Sequence, residues 1–250
     1  MSTLENQVQA LAALLEGEPF QALSIEDGSG LPLSGSAGLI LESETAATLG
    51  GPGLPSARLL LYSSAPANGP ADAVRLLGDD LDSLSGPAPF AQAVVLHGPR
   101  ITSEVFYQFL QRHKRLLDQP GFMVKSMKSD IWCRADKPRA QAGLASVSRG
   151  FLSRVHAAFP EVDSIELWWI TGHRDLVARL ADLSSRTEDA LTAIKSGVWK
   201  DRGFDYKSCQ LAGHCGECGD KKTCASVRQM EAKIKLKRRR EAAARQTPAA

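Results

Sequence analysis

The sequence predicts an α/β protein built on a mixed sheet flanked by helices. Two observations carry this reading. Arg58 to Tyr62 (RLLLY), Ala93 to Leu96 (AVVL) and Ser164 to Thr171 (SIELWWIT) are short, apolar runs of strand length. Between and around them lie stretches whose apolar residues recur at helical spacing, so strands and helices alternate. A chain of 250 residues is long enough to bury a sizeable core, and its 43% apolar and 23% charged content is ordinary for a soluble globular protein.

The elements follow in order. Leu4, Val8, Leu11, Ala12 and Leu15 predict an amphipathic helix over residues 2 to 16, with Ser2 and Glu5 as a capping box and Gly17 as its stop. Residues 24 to 57 are rich in Gly, Ser and Pro; Leu39-Ile40-Leu41 is a candidate short strand, and Leu49 to Pro55 (LGGPGLP) is a loop. That loop lacks the Lys-Ser/Thr of a phosphate-binding P-loop, so it reads as a tight structural turn. A short helical piece is expected near Ala71 to Leu77. Thr102 caps a helix running to about Leu117, with Val105, Phe106, Phe109, Leu110 and Leu117 inward and Arg112, His113, Lys114 and Arg115 on a solvated face. Met123 to Arg134 reads as extended. Pro138 opens a helix to about Phe159, with Leu144, Val147, Phe151 and Val155 inward. After SIELWWIT, two helices are expected, near Asp175 to Leu183 and Glu188 to Gly197, the second capped by Thr187. Trp168 and Trp169 must face opposite sides of their strand, one into the core and the other under a helix.

Composition excludes several classes. A formal net charge of +2 gives no bulk electrostatic attraction to nucleic acid. The sequence has no apolar run of transmembrane length and no signal peptide, so a cytoplasmic, reducing location is expected, without a membrane span. In that compartment clustered cysteines read as a metal site before they read as disulfides.

Such a cluster is present. Cys209, Cys215, Cys218 and Cys224 are four of the five cysteines, spaced C-x5-C-x2-C-x5-C with Gly213, Gly216 and Gly219 among them. Four thiolates from one short loop suit a soft metal centre, and glycine lets the backbone turn tightly around it. Zinc and an iron–sulfur cluster both fit; His214 leans toward zinc, and the spacing matches neither a ferredoxin run nor a zinc ribbon. Reactive or incidental cysteines are the alternative. Cys133 stands apart and reads as a buried, inert thiol, with a fifth ligand as the other reading. His97 and His173, at strand ends without an evident partner, enter no site. From about Ala225 the chain reads as one polar, basic C-terminal helix ending in Lys233, Lys235, Lys237 and Arg238 to Arg240, then a tail; this run either contacts something acidic or is only solvated.

The order of several short motifs resembles a known family. Ile131-Trp132-Cys133-Arg134-Ala135-Asp136-Lys137, then Phe159-Pro160-Glu161-Val162, then Ile170-Thr171 and Tyr206-Lys207-Ser208-Cys209, is similar to the central domain of acetyl-CoA synthase. That enzyme is the β subunit of the CO dehydrogenase/acetyl-CoA synthase complex. Glu42 ahead of Leu49-Gly50-Gly51, and Leu76 to Asp82 ahead of AVVL, parallel it too, so the resemblance spans roughly residues 30 to 210. The family's nickel-bearing domain, marked by Cys-Gly-Cys-Phe, has no counterpart here, nor does the amino-terminal domain that docks CO dehydrogenase. The resemblance therefore implies a central domain without the nickel centre, not a complete synthase.

It further implies coenzyme A binding by Trp132 and Arg134, with Arg112 and Arg115 less securely placed. Guanidinium groups suit phosphates and an indole suits adenine; a core aromatic beside a surface ion pair is the other reading of Trp132 and Arg134. The family's iron–sulfur setting favours a [4Fe–4S] cluster over zinc at the four cysteines. The expected function is an accessory, docking or electron-transfer component of a larger CO, corrinoid or acyl-CoA enzyme. The alternatives are a separately encoded coenzyme A-binding piece of a split synthase, and a zinc-stapled adaptor. The expected organisation is an N-terminal helix (1–17), the α/β domain (24–205), a cysteine-rich module (206–230) and the basic tail (231–250).

Overall fold

A computed structural model describes residues 3–25, 31–33, 35–65, 72–127 and 130–201. The chain divides into two compact units, Met1–Val198 and Trp199–Ala250. Cys209, Cys215, Cys218, Cys224 and the basic tail lie outside the described residues.

The first unit opens with α1 (Thr3–Leu15) and a two-residue strand, β1 (Gln21–Ala22). A single 3-10 turn (Glu42–Glu44) leads into β2 (Thr45–Leu49), then β3 (Ser56–Ser63), β4 (Asp72–Leu77) and β5 (Phe90–His97). Helix α2 (Ser103–Leu117) precedes a hairpin, β6 (Phe122–Met127) and β7 (Asp130–Asp136). Helix α3 (Lys137–Ala158), β8 (Ser164–Thr171) and α4 (Arg174–Asp201) follow.

The strands form a mixed five-stranded sheet in the order β1-β4-β8-β5-β3 and a three-stranded antiparallel sheet, β2-β7-β6. In the larger sheet β4/β8 and β3/β5 are parallel, while β1/β4 and β5/β8 are antiparallel. All eight residues of β5 are buried, which is why its sequence is apolar almost throughout rather than alternating. One face of this sheet packs on α2 and α3: Tyr62 meets Phe106, and the fully buried Trp169 donates from Nε1 to Ser148 Oγ at 2.8 Å. The adjacent Trp168 points to the other face, where α1 lies. The predicted split of the two tryptophans is what the pleat produces.

The helix starts follow from local chemistry. Thr102 caps α2 by accepting from the Val105 amide at 3.3 Å. Asp136 caps α3 by accepting from Arg139 N at 2.9 Å, with Pro138 in the first turn, where its missing N–H costs nothing. Inside α3, Gly143 at φ +68° breaks the helical path, and the carboxylate of Asp80 accepts the Leu144 amide at 2.8 Å to restart it.

Four sequence expectations need correction. Leu39 and Leu41 are exposed and unpaired by strand bonding, and the strand of this region is Thr45–Leu49, because only there does β7 offer a ladder partner. Residues 72–77 are a strand, not a helical piece: pairing to β8 outweighs the local preference, and Asp72 anchors that pair by accepting from Ile165 N at 2.9 Å. His113 is fully buried, edge-on to Phe109 and Phe151 at 5.6 and 5.5 Å, rather than on a solvated face. Thr187 does not start a helix; its hydroxyl donates to Ser184 O at 2.6 Å and the helix runs through it.

Candidate functional site

Strand alternation positions the first pair of predicted residues. Along β7, Ile131, Cys133 and Ala135 point into the core at 1% exposure each, so Trp132 and Arg134 share the opposite side. Antiparallel pairing then sets Lys125 of β6 directly across from Trp132. The Lys125 ammonium lies 5.0 Å and the Arg134 guanidinium 4.7 Å from the centre of the half-buried indole ring. Both are within the range where the ring quadrupole attracts a cation. Arg134 Nη1 also donates to Ile40 O at 3.3 Å, which ties the 39–41 segment to this sheet.

The glycine loop is laid against the same indole. Leu49 ends β2 opposite Cys133, and Gly50 N donates to Ala88 O at 2.8 Å. Gly50 (φ +71°) passes so near β7 that a Cβ would stand 2.6 Å from Ile131 O. A Cβ on Gly51 would stand 3.6 Å from Trp132 Nε1. At the far end of the loop Ser56 Oγ accepts from Ile131 N at 3.3 Å. The loop is thus a structural turn, as read from sequence, and in addition it forms a wall.

Two hollows meet at this wall. The larger, about 830 Å³, is bounded by the loop from Gly51 to Ser56 together with Lys114, Lys125, Trp132 and Ala181. The smaller, about 320 Å³, is bounded by the same loop, Trp132, Arg134, Thr48 and Glu42. Trp132 belongs to both. Its Nε1 and Arg134 Nε are buried without a hydrogen-bond partner among the described residues. The arrangement offers an aromatic ring, three cations and a glycine-rich loop. Chemically that suits a planar ring carrying anionic groups.

Arg112 and Arg115 are not part of it. Both are exposed on α2; the Arg112 guanidinium lies over Phe159 at 5.3 Å, and the Arg115 carbonyl accepts from Arg154 Nη1 at 3.4 Å. An α-helix turns by about 100° per residue, so neighbouring positions diverge, and Lys114 is the α2 cation that reaches the larger hollow. Lys114 and Lys125 were not singled out from sequence. Lys125 becomes visible only once the hairpin register is known, and Lys114 only once α2 is docked.

Of two further residues singled out from sequence, Cys133 is as read and His97 is not. Burial pushes the Cys133 thiol well up, with Asp118 adding to the effect, so it is an inert core residue. His97, left partnerless in the sequence reading, is buried with Nδ1 3.2 Å from Ala65 O and Nε2 3.4 Å from Glu166 Oε1. Among the described residues no three His, Cys, Asp or Glu side chains group to hold a metal ion, and no helix is long and apolar enough to cross a membrane. No family model matches the chain, and no curated protein matches it.

Proposed function

We propose that the chain is a coenzyme A-binding, iron–sulfur accessory component of a larger enzyme system, of the kind implied by its resemblance to the central domain of acetyl-CoA synthase. The observation that carries the binding half is the indole of Trp132, set against the glycine loop with Lys125 and Arg134 at its ring. In this reading the adenine stacks on Trp132, and Lys114, Lys125 and Arg134 meet the phosphates. The cluster half rests on the spacing of Cys209, Cys215, Cys218 and Cys224, which would hold one [4Fe–4S] cluster. The chain then docks coenzyme A or passes electrons while a partner subunit of a CO, corrinoid or acyl-CoA system performs the bond-forming chemistry.

Calorimetric titration of coenzyme A into the full chain tests the first half: saturable binding supports it, and no binding to the wild-type chain overturns it. Anaerobic purification with metal analysis tests the second. About four irons per chain, with a broad charge-transfer band lost on Cys209→Ser, supports the cluster; one zinc in a colourless protein favours the zinc-stapled adaptor.

A further inference from the structure

A separate hollow of about 710 Å³ lies between α1 and the large sheet, and it shares no lining residue with the two at Trp132. Its floor comes from three neighbouring strands: Arg75 on β4, Glu166 and Trp168 on β8, and His97 on β5. Register places them on one face, since Arg75 pairs with Trp168 and Val95 pairs with Glu166. Its roof is α1, through the apolar stripe of Val8, Leu11, Ala12 and Leu15 with Glu5 and Gln9 at its side.

The floor is polar and incompletely paired, with His97 buried and Arg75, Glu166 and Trp168 half-buried. Glu166 is bracketed by His97 Nε2 at 3.4 Å and Arg75 Nη1 at 3.6 Å. Charge-assisted contacts ordinarily close to about 2.7–2.9 Å. Both nitrogens, and Trp168 Nε1, are buried without a hydrogen-bond partner among the described residues. The His97 side chain is only 8% exposed. Arg75 is held in place by the Trp168 ring at 4.4 Å, and that ring by Phe20 at 4.7 Å. A carboxylate with unpaired donors beneath an apolar roof is costly unless a polar group completes it.

The chemistry of the floor selects that group. Glu166 can only accept, and Arg75 can only donate. A carboxylate head is repelled by Glu166 and an ammonium head by Arg75. A hydroxyl or primary amide both donates to Glu166 and accepts from Arg75, while an aliphatic body covers the α1 stripe. We propose that the hollow beneath α1 is a binding site for a small neutral amphiphile, its amide or alcohol head on Glu166, Arg75 and His97 and its aliphatic body against Val8, Leu11 and Leu15.

A charge series on one tail tests this in the full chain: hexanamide, 1-hexanol, hexanoate and hexylamine, each titrated by calorimetry. The neutral pair should bind saturably, with the charged pair weaker by about tenfold or more, the scale of one lost hydrogen bond to a charged group. Glu166→Gln leaves the shape intact and removes the repulsion, so preference should move to hexanoate. Val8→Phe fills the roof side and should weaken the whole series without lowering the thermal midpoint. Absence of saturable binding by any of the four, affinity indifferent to head-group charge, or binding unchanged by Val8→Phe would each overturn the assignment.

Discussion

The carbonyl oxygen of Ile131 stands 2.6 Å from the point a Cβ on Gly50 would occupy, and Gly50 itself sits at φ +71°. Gly53, three residues on in the same loop, has φ +78° with open space around it. The two glycines therefore separate backbone conformation from close approach. Alanine in the left-handed region costs about 1–2 kcal/mol at either position. At Gly50 the clash with a ladder carbonyl adds to that, because neither strand can shift without disturbing the β2/β7 pairing. Chemical denaturation should show Gly50→Ala less stable than Gly53→Ala. Equal losses would mean that the loop relaxes away from β7 freely.

How far this arrangement was legible in the sequence depends on how local each cause is. Trp132 and Arg134 are two residues apart on a strand, so their shared side follows from the pleat, and the caps at Thr102 and Asp136 depend on residues three positions away. Residues 72–77 went the other way: their strand is set by β8, whose partner residues lie roughly ninety positions later. His97 and Glu166 are also far apart in the sequence and meet only through the β5/β8 register. His113 sits within a run of basic residues, and only the docking of α3, which brings Phe151, shows that its direction is inward.

The proposed coenzyme A site makes a selective prediction among four cations. Arg134→Ala removes a guanidinium at the Trp132 ring and should weaken coenzyme A binding by roughly tenfold or more, the scale of a lost charged hydrogen bond. Lys125→Ala should weaken it less, since a flexible ammonium at an exposed position contributes about 0.5–1 kcal/mol at an aromatic face. Arg112→Ala and Arg115→Ala, whose parent side chains lie outside the two hollows, should leave the affinity unchanged. A loss at Arg112 equal to that at Arg134 would place the ligand along α2 instead of against the glycine loop.

Two histidines should give stability profiles of opposite sign. Burial among aromatic rings holds His113 well below the ordinary histidine range, and the nearby Arg58 charge pushes in the same direction. The unfolded chain then binds a proton that the folded chain refuses, so the His113 contribution is present above about pH 6.5 and is lost as pH falls below it. His156 is raised, chiefly by its hydrogen bond to the Asp72 carboxylate, with the Asp72 charge adding to it and burial opposing it. Its contribution is full below about pH 6.5 and is lost as pH rises through the folded value. Denaturation across this window should therefore show His113→Phe relieving acid destabilisation. His156→Gln should be most destabilising at the acid end and approach wild type at the alkaline end. A His113→Phe profile parallel to wild type would mean that the buried imidazole takes up its proton inside the fold.

The break in α3 provides a coupled test. Asp80 Oδ1 accepts the amides of Leu144 at 2.8 Å and Leu81 at 2.7 Å, so this one carboxylate caps the second half of the helix and ties it to the turn after β4. Losing such a cap costs about 1 kcal/mol, and Asp80→Asn should retain most of it, since an amide oxygen still accepts. Gly143→Ala should cost more than Asp80→Ala: the residue sits at φ +68°, and its new Cβ would stand 2.6 Å from Asp80 Oδ2. The two effects are not independent. Removing the Asp80 carboxylate also removes the atom that the Cβ strikes, leaving only the backbone penalty of about 1–2 kcal/mol. The double variant should therefore be more stable than the sum of the single losses allows, by an interaction energy measurable in a double-mutant cycle. Strict additivity would show that Asp80 swings aside for the new methyl group, and that the helix break is held by Gly143 alone.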